Sequence, residues 1–402
     1  MITATSVATV DFQQLFNHPY VGQFNVVSRH IFSQLHGCHT AAMGMHHYRC
    51  DDPNCHHLHQ QYHCCGNRHC PHCGGLKKEQ WIENLTAQLF PTAYYHIVFT
   101  VPHQFNSLTL GNRTEMYKLL FDTASATLLQ FSKDPEHLGA TCGITMVLHT
   151  WGQDLSFHSH VHCIVSGGGI KDNQWVAAKR SNDKFLFPVS AMKLVYKGIY
   201  LNKLRKLLSK GKLQTEGIDI DKAIEKAGYK KWNVYAKSPF GSVSSVIEYL
   251  GRYTHKTAIT RHRIASITEH SVTFHYKDYA DKSKQKQMTL SKQEFLRRFE
   301  GHFLPHRFVK IRHYGFMQNH GKVTRLNEVR KNMDLQPLPP IVKIPAAQRM
   351  LEQYGKDTSL CPKCGKGKLI LIAVVYAHPL TTSFSKQKKA DAEGQLHNKA
   401  SP

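Results

Sequence analysis

Histidines occupy every second position in the stretch SFHSHVHCIVSGGG (Ser156–Gly169), at His158, His160 and His162. Side chains of a strand alternate sides with period two, so on a strand these three imidazoles share one face. The preceding apolar and β-branched stretch, CGITMVLHTW (Cys142–Trp151), reads as a second strand, and a short loop with Gly152, Asp154 and Ser156 joins the two. Paired as a hairpin, they place His149 roughly opposite His160. Two strand histidines one residue apart are a ready pair of ligands for a divalent ion, whose open positions face whatever lies over the sheet. The plain alternative is a stripe of partly buried, hydrogen-bonded histidines. Gly167, Gly168 and Gly169 read as a tight turn that also allows close backbone approach.

Seven of the eleven cysteines crowd into the first fifth of the chain: Cys38, Cys50, Cys55, Cys64, Cys65, Cys70 and Cys73. In a reducing compartment such a loop-rich segment, poor in apolar residues, favours metal over disulfides. Zinc takes about four soft or borderline ligands, and closely spaced pairs on tight turns supply them. The pairs are CDDPNC (Cys50, Cys55) and HCPHC (Cys70, Cys73), and these four form the first grouping. A second ion on Cys38, Cys65 and His69 stays open. Near the other end CPKCGKGK offers one more half-site, Cys361 and Cys364, to be completed by a distant histidine or left empty.

The charge balance narrows the partner. Lys and Arg number 52 against 28 Asp and Glu, a formal net charge of +24, which points to a polyanion, nucleic acid first and an anionic membrane surface second. No apolar run approaches the length of a membrane span, and MITATSVATVDFQQLF lacks the basic and apolar regions of a secretory signal, so the expected compartment is the cytoplasm.

The order of elements predicts an α+β fold. A helical lead-in (1–37) precedes the zinc-binding segment (38–90, mostly loop until a helix over 78–90 that Pro91 ends). A catalytic domain over 91–345 follows, with a helical insertion at about 188–230, and then a knuckle-like segment and disordered polar tail over 346–402. Within the catalytic domain a strand at 93–102, a helix at 114–131 and the histidine hairpin give a βαββ order, an antiparallel sheet with helices on it. Later come a basic helix (190–210), a hairpin (262–278) and a helix announced by Ser291 with Glu294 three residues on. A helix over 244–256 carries Tyr249 and Tyr253, four apart and so on one face about 6 Å apart at Cβ, with Arg252, His255 and Lys256 beside them. Core packing is the ordinary reading of such tyrosines; beside a histidine-bound metal they become candidate nucleophiles.

LHTWGQDLSFHSHVHCIVSGGG, YLGRYTHKTAI, YHCCGNRHCPHC and FVKIRHYGF, in this order over roughly residues 10–375, resemble the rolling-circle transposases of the two-tyrosine HUH family carried by bacterial insertion sequences. The resemblance implies an HUH-type antiparallel sheet and places the family's His-hydrophobic-His motif on His160, Val161 and His162, which would ligate Mg or Mn. It places the nucleophiles on Tyr249 and Tyr253. The third ligand does not follow from a motif: His149 is the geometric choice, with His158 and Gln153 behind it. The implied chemistry is attack on single-stranded DNA to leave a 5′-phosphotyrosine and a free 3′-OH, rejoined without ATP. Arg252, Lys256 and Arg312 are candidate DNA contacts, and the implied partners are the ends of the element and the target site, with a homodimer and nucleoid association in the cytoplasm as further expectations. In one departure Gly66 stands where arginine is expected and Cys64 precedes the usual cysteine. A replication-initiator nickase and a non-catalytic, zinc-dependent DNA-binding regulator are the alternative readings.

Overall fold

The computed structural model describes residues 12–73, 75–178, 186–237, 240, 245–246, 251, 257–279, 281–340, 342 and 344–377. The tail beyond 377 and most of the 244–256 helix fall outside these residues. Contacts divide the chain into two compact units: Met1–Phe12, His18–Ser28 and Gly74–Val342 form one, and Gln13–Asn17, Arg29–Cys73 and Lys343–Pro402 form the other. The main body of the larger unit, Gly74–Val342, is therefore, in sequence, an insert between the parts of the smaller one.

The smaller unit contains a three-stranded antiparallel sheet of β1 (Gly44–Cys50), β2 (Leu58–Tyr62) and β12 (Leu369–Tyr376), in the order β12-β1-β2. The cysteine segment was expected to be mostly loop. It carries two strands instead, because β1 gains a partner on each side, and one of them comes from the far end of the chain: Gly44 lies opposite Tyr376 and Cys50 opposite Leu369.

In the larger unit β3 (Tyr94–Thr100), β4 (Thr141–Trp151), β5 (Phe157–Lys171), β7 (Val234–Ala236) and β11 (Ile311–Gly315) run in the order β11-β4-β5-β3-β7, and β6 (Gln174–Ala177) pairs with the end of β5. Every ladder is antiparallel. An α+β architecture built on antiparallel sheets is thus what the chain forms. Alternation sorts the two faces. Tyr95, Ile97, Phe99, Met146, Leu148, Val161, Cys163 and Val165 are buried on one of them, packed with the helices Arg113–Lys133 and Val189–Ser209 in the main core. On the other, Tyr94 and Ile164 join Leu85, Phe90, Val246, Phe316, Leu326 and Val329 in a second apolar cluster. The basic helix Val189–Ser209 buries Met192, Tyr196, Tyr200 and Leu204, while Lys203 Nζ donates to the Asp122 carbonyl oxygen at 2.8 Å.

A second sheet holds β8 (Ile264–Ile267), β9 (Ser271–Asp278) and β10 (Lys284–Ser291) in the order β10-β9-β8. The hairpin of β8 and β9 matches the sequence reading; the third strand, KQKQMTLS, has too little apolar alternation to announce itself. Ser291 caps the helix Lys292–Glu300 as expected, its hydroxyl accepting from the Glu294 N–H at 3.2 Å, an interaction of about 1 kcal/mol.

The three glycines do not form a turn. They continue β5, and the reversal comes at Asp172 and Asn173, both with positive φ. What requires glycine is crowding: a Cβ on Gly168 would overlap the Trp175 indole, and one on Gly167 would lie 2.9 Å from the Ala93 carbonyl oxygen. Overpacking of this kind costs about 1–3 kcal/mol. Gly168→Ala is expected to lower the melting temperature by several degrees, read by differential scanning fluorimetry; an unchanged melt would show that Trp175 has room to move.

Candidate metal centres

Register brings the histidines together. In the β4–β5 ladder His149 lies directly opposite His160, and His162 lies opposite Val147 on β4 and Val98 on β3, all on one face. One ring nitrogen from each of His149, His160 and His162 falls within 4.8 Å of the others, and the Nε2 atoms of His160 and His162 are 3.1 Å apart. Two nitrogens bound to one ion at about 2.1 Å would be separated by about 3.0–3.4 Å for octahedral or tetrahedral angles. The donor set fits a divalent cation. His149 is buried and stacks on Trp151, ring centroids 4.7 Å apart, so it is the strand neighbour that completes the trio, as the hairpin reading anticipated. His158 contributes its backbone, and Gln153 sits in the connecting loop.

Protonation and hydrogen bonding agree with ligation. Burial, the largest cause, pushes His160 down to about 3, which leaves it neutral. Its Nδ1–H donates to the His158 carbonyl oxygen at 2.8 Å, turning the Nε2 lone pair toward the cluster. His162 Nδ1 meets Nε2 of His96 at 3.0 Å, the two rings stacked with centroids 5.2 Å apart. His96 is itself buried and pushed down to about 3, chiefly by desolvation. Neutral metal-ligating imidazoles nearly always engage their second nitrogen in this way. Sequence reasoning missed His96; the alternation Tyr94, His96, Val98 on a strand was the signal that could have found it.

The β4–β5 loop is braced from outside the hairpin. Asp154 Oδ1 accepts from the Ser156 N–H and hydroxyl at 3.1 and 2.7 Å. His302 Nε2–H donates to the Leu155 carbonyl oxygen at 3.2 Å, Arg298 to that of Asp154 at 3.0 Å, and Arg263 to that of Gln153. Tyr249, Tyr253, Arg252 and Lys256 lie outside the described residues. Val246, three positions before Tyr249, is fully buried in the apolar cluster that includes Tyr94 and Ile164 on the histidine face, and a Cβ on Gly251 would contact Ile82 Cδ1 at 3.5 Å. Arg312 faces the other way. Its guanidinium lies 4.4 Å from the Phe121 ring centroid and 5.1 Å from that of Phe308, so any DNA contact it makes is separate from the histidine face.

The cysteines converge in two sets of four. Cys38, Cys65, Cys70 and Cys73 form one, with Sγ separations of 3.2 Å (Cys38–Cys73) and 3.6 Å (Cys65–Cys73 and Cys38–Cys70). Cys50, Cys55, Cys361 and Cys364 form the other. The grouping expected from the sequence, Cys50 and Cys55 with Cys70 and Cys73, is not formed. The reason is the β1–β12 pairing, which carries Cys361 and Cys364 to the end of β1 where Cys50 stands. Among the described residues it is two cysteines, not a histidine, that complete the far half-site, and His69 belongs to neither set. Cys64, whose extra thiol left open either a non-ligand or a shifted ligand set, is exposed and belongs to neither set.

Comparison with known proteins gives the family. Residues 10–101 match the family described as "Transposase zinc-binding domain", and residues 143–324, which contain the three histidines, match the family described as "Putative transposase". Transposase y4qJ of Sinorhizobium fredii is 36% identical over 381 residues, covering 90% of this chain and 94% of its own. The transposase for insertion sequence element IS801 of Pseudomonas savastanoi pv. phaseolicola is 29% identical over 348 residues, covering 85% and 83%. No solved structure matches. The chain therefore belongs to the transposase family of its y4qJ relative, and it carries a transposase zinc-binding domain of its own. No helix among the described residues is long and apolar enough to cross a membrane.

Cys38, Cys65, Cys70 and Cys73 all lie within the zinc-binding match, and their spacing fits one tetrahedral ion. A zinc ion bound there would add its binding energy to that of the small apolar core of Leu15, Phe16, Phe32 and Leu35 in the same unit. Cys70→Ser, which removes one of the two buried members of this set, is expected to release one zinc per chain and to expose Cys38 and Cys65 to alkylating reagents in the native protein. Full protection of both thiols after that change would contradict the assignment.

Proposed function

We propose that this transposase cleaves and rejoins single-stranded DNA by tyrosine transesterification, the chemistry of a rolling-circle element. The observation that carries the reading is the convergence of His149, His160 and His162 on one sheet face at positions fixed by strand register. Burial of Val246 on that face, so close in sequence to Tyr249, supports it. When bound, a Mg or Mn ion would polarise the scissile phosphate and offset the charge that develops on it.

The protein groups do the rest. His158, through its carbonyl, and His96, through Nε2, hold the two strand histidines in the tautomer that presents Nε2. Tyr249 or Tyr253 attacks phosphorus through its phenolic oxygen; the bond to the 3′ oxygen breaks, and that oxygen leaves with a proton as a 3′-OH. The phosphodiester becomes a 5′-phosphotyrosine, and the reverse attack by a 3′-OH on another strand rejoins DNA without any outside energy source. Two tyrosines let one retain the first end while the other opens the second. Arg252 and Lys256 would neutralise the phosphates flanking the reacting one, and a chain of net charge +24 is suited to hold the backbone.

Incubation with single-stranded DNA from the element's termini and Mn or Mg, followed by a denaturing gel and mass mapping, tests this. A covalent adduct on Tyr249 or Tyr253, absent with EDTA and absent in the Tyr249→Phe/Tyr253→Phe double variant, is expected. His160→Ala should reduce the rate at least 100-fold, the usual scale for losing a group that stabilises transition-state charge. Tight, metal-independent binding without any adduct would instead favour the zinc-dependent regulator. His96→Ala is expected to weaken Mn binding about 10- to 100-fold in a calorimetric titration; an unchanged affinity would remove His96 from the site.

A further inference from the structure

We propose that Cys50, Cys55, Cys361 and Cys364 hold a second zinc ion, and that this ion closes the smaller unit by joining its N-terminal and C-terminal parts. Two of the four lie outside the zinc-binding match at residues 10–101.

The distances fit this metal. Cys50 and Cys364 Sγ are 3.7 Å apart, Cys55 and Cys361 Sγ 3.9 Å, and all four sulfurs lie within 4.8 Å of one another. A tetrahedron with Zn–S bonds of about 2.3 Å has edges of about 3.8 Å. A disulfide would bring a pair to about 2.05 Å. The four positions therefore match the corners of a zinc-tetrathiolate site, not two disulfides.

The backbone is shaped around the same point. Gly365, at φ 67°, reverses the chain after Cys364 and donates its N–H to the Cys361 carbonyl oxygen at 2.9 Å. The Gly367 N–H points at Cys364 Sγ, 3.4 Å away, and Cys361 N–H donates to the Gly367 carbonyl oxygen at 2.7 Å. N–H groups directed at a sulfur are what a thiolate ligand needs to spread its charge. Gly367 lies so close to Cys50 that any Cβ there would overlap Sγ. The opposite pair sits on a matching turn, where Cys55 N–H donates to the Asp52 carbonyl oxygen at 3.0 Å and Cys50 N–H to that of His57 at 2.9 Å. Asp51 then fastens one turn to the other, its carboxylate accepting from the Lys368 N–H at 2.6 Å.

The test uses the purified full-length protein. Zinc counted by plasma mass spectrometry is expected at two per chain, and native alkylation with N-ethylmaleimide followed by peptide mapping should label the exposed Cys64 while sparing all eight clustered cysteines. The Cys361→Ser/Cys364→Ser variant should retain one zinc and show about half the thiolate-to-cobalt absorbance of the wild type after cobalt exchange. Cys364→His, which keeps a ligand at that corner, should restore the count to two. One zinc per wild-type chain, or Cys361 and Cys364 labelled as fast as Cys64, would overturn the proposal, and both readings come from the unaltered protein. Masses showing Cys50–Cys364 and Cys55–Cys361 disulfides in freshly reduced preparations would overturn it as well.

Discussion

The register of β4 against β5 is the constraint on which the rest of the larger unit depends. With His149 across from His160, every second residue of both strands faces the same side, and the residues between them, Leu148, Val161 and Cys163, fill the main core. A slip by one residue would exchange the two sets, driving imidazoles into the core and aliphatic side chains onto the opposite face. The cost of burying polar groups without partners makes that slip prohibitive. The apolar core thus sets the position of the histidines more firmly than any contact among the histidines themselves. The loop that joins the two strands is gripped in turn by side chains from well over a hundred residues later, His302 and Arg298 among them.

The two units solve the problem of stability in different ways. The larger one buries whole aromatic side chains, Tyr95, Phe99, Phe121, Tyr196 and Tyr200, between sheet and helices. The smaller one buries only a few such side chains, Leu15, Phe16, Phe32 and Leu35, leaves Ile370, Leu371, Ile372 and Tyr376 of its outer strand β12 substantially exposed, and adds two sulfur clusters. Burial in the first keeps imidazoles neutral and so available as ligands; in the second, backbone N–H groups turn toward the thiols.

The histidine face and several elements around it are legible in the sequence because their signals are local. The alternation His158, His160, His162, the hairpin that sets His149 opposite, the Ser291 cap and the β8–β9 hairpin each occupy a single short window of sequence. What was not legible depends on partners far apart. β1 reads as loop until β12 is known to lie beside it, and the correct grouping of the cysteines follows only from that pairing. His96 and His302 look like isolated histidines until the sheet and the helix end bring one beside His162 and the other over the β4–β5 loop. The glycines of β5 were read by their freedom, whereas the structure uses their lack of volume, since what crowds Gly168 is a tryptophan on the next strand.

The pairing of β1 with β12 sets the order of assembly against the order of synthesis. Cys55 and Cys361 are separated by 306 residues, so at about 5–20 residues per second a ribosome adds the later strand about 15–60 s after the earlier one. Throughout that interval β1 presents an unpaired edge, of the kind that invites pairing with other chains. The larger unit, whose strands all lie between, has its whole sequence available first. A polypeptide cut short after β11 and before β12 would carry the complete histidine face but an unfinished terminal sheet, so the two units can be separated in time as well as in sequence.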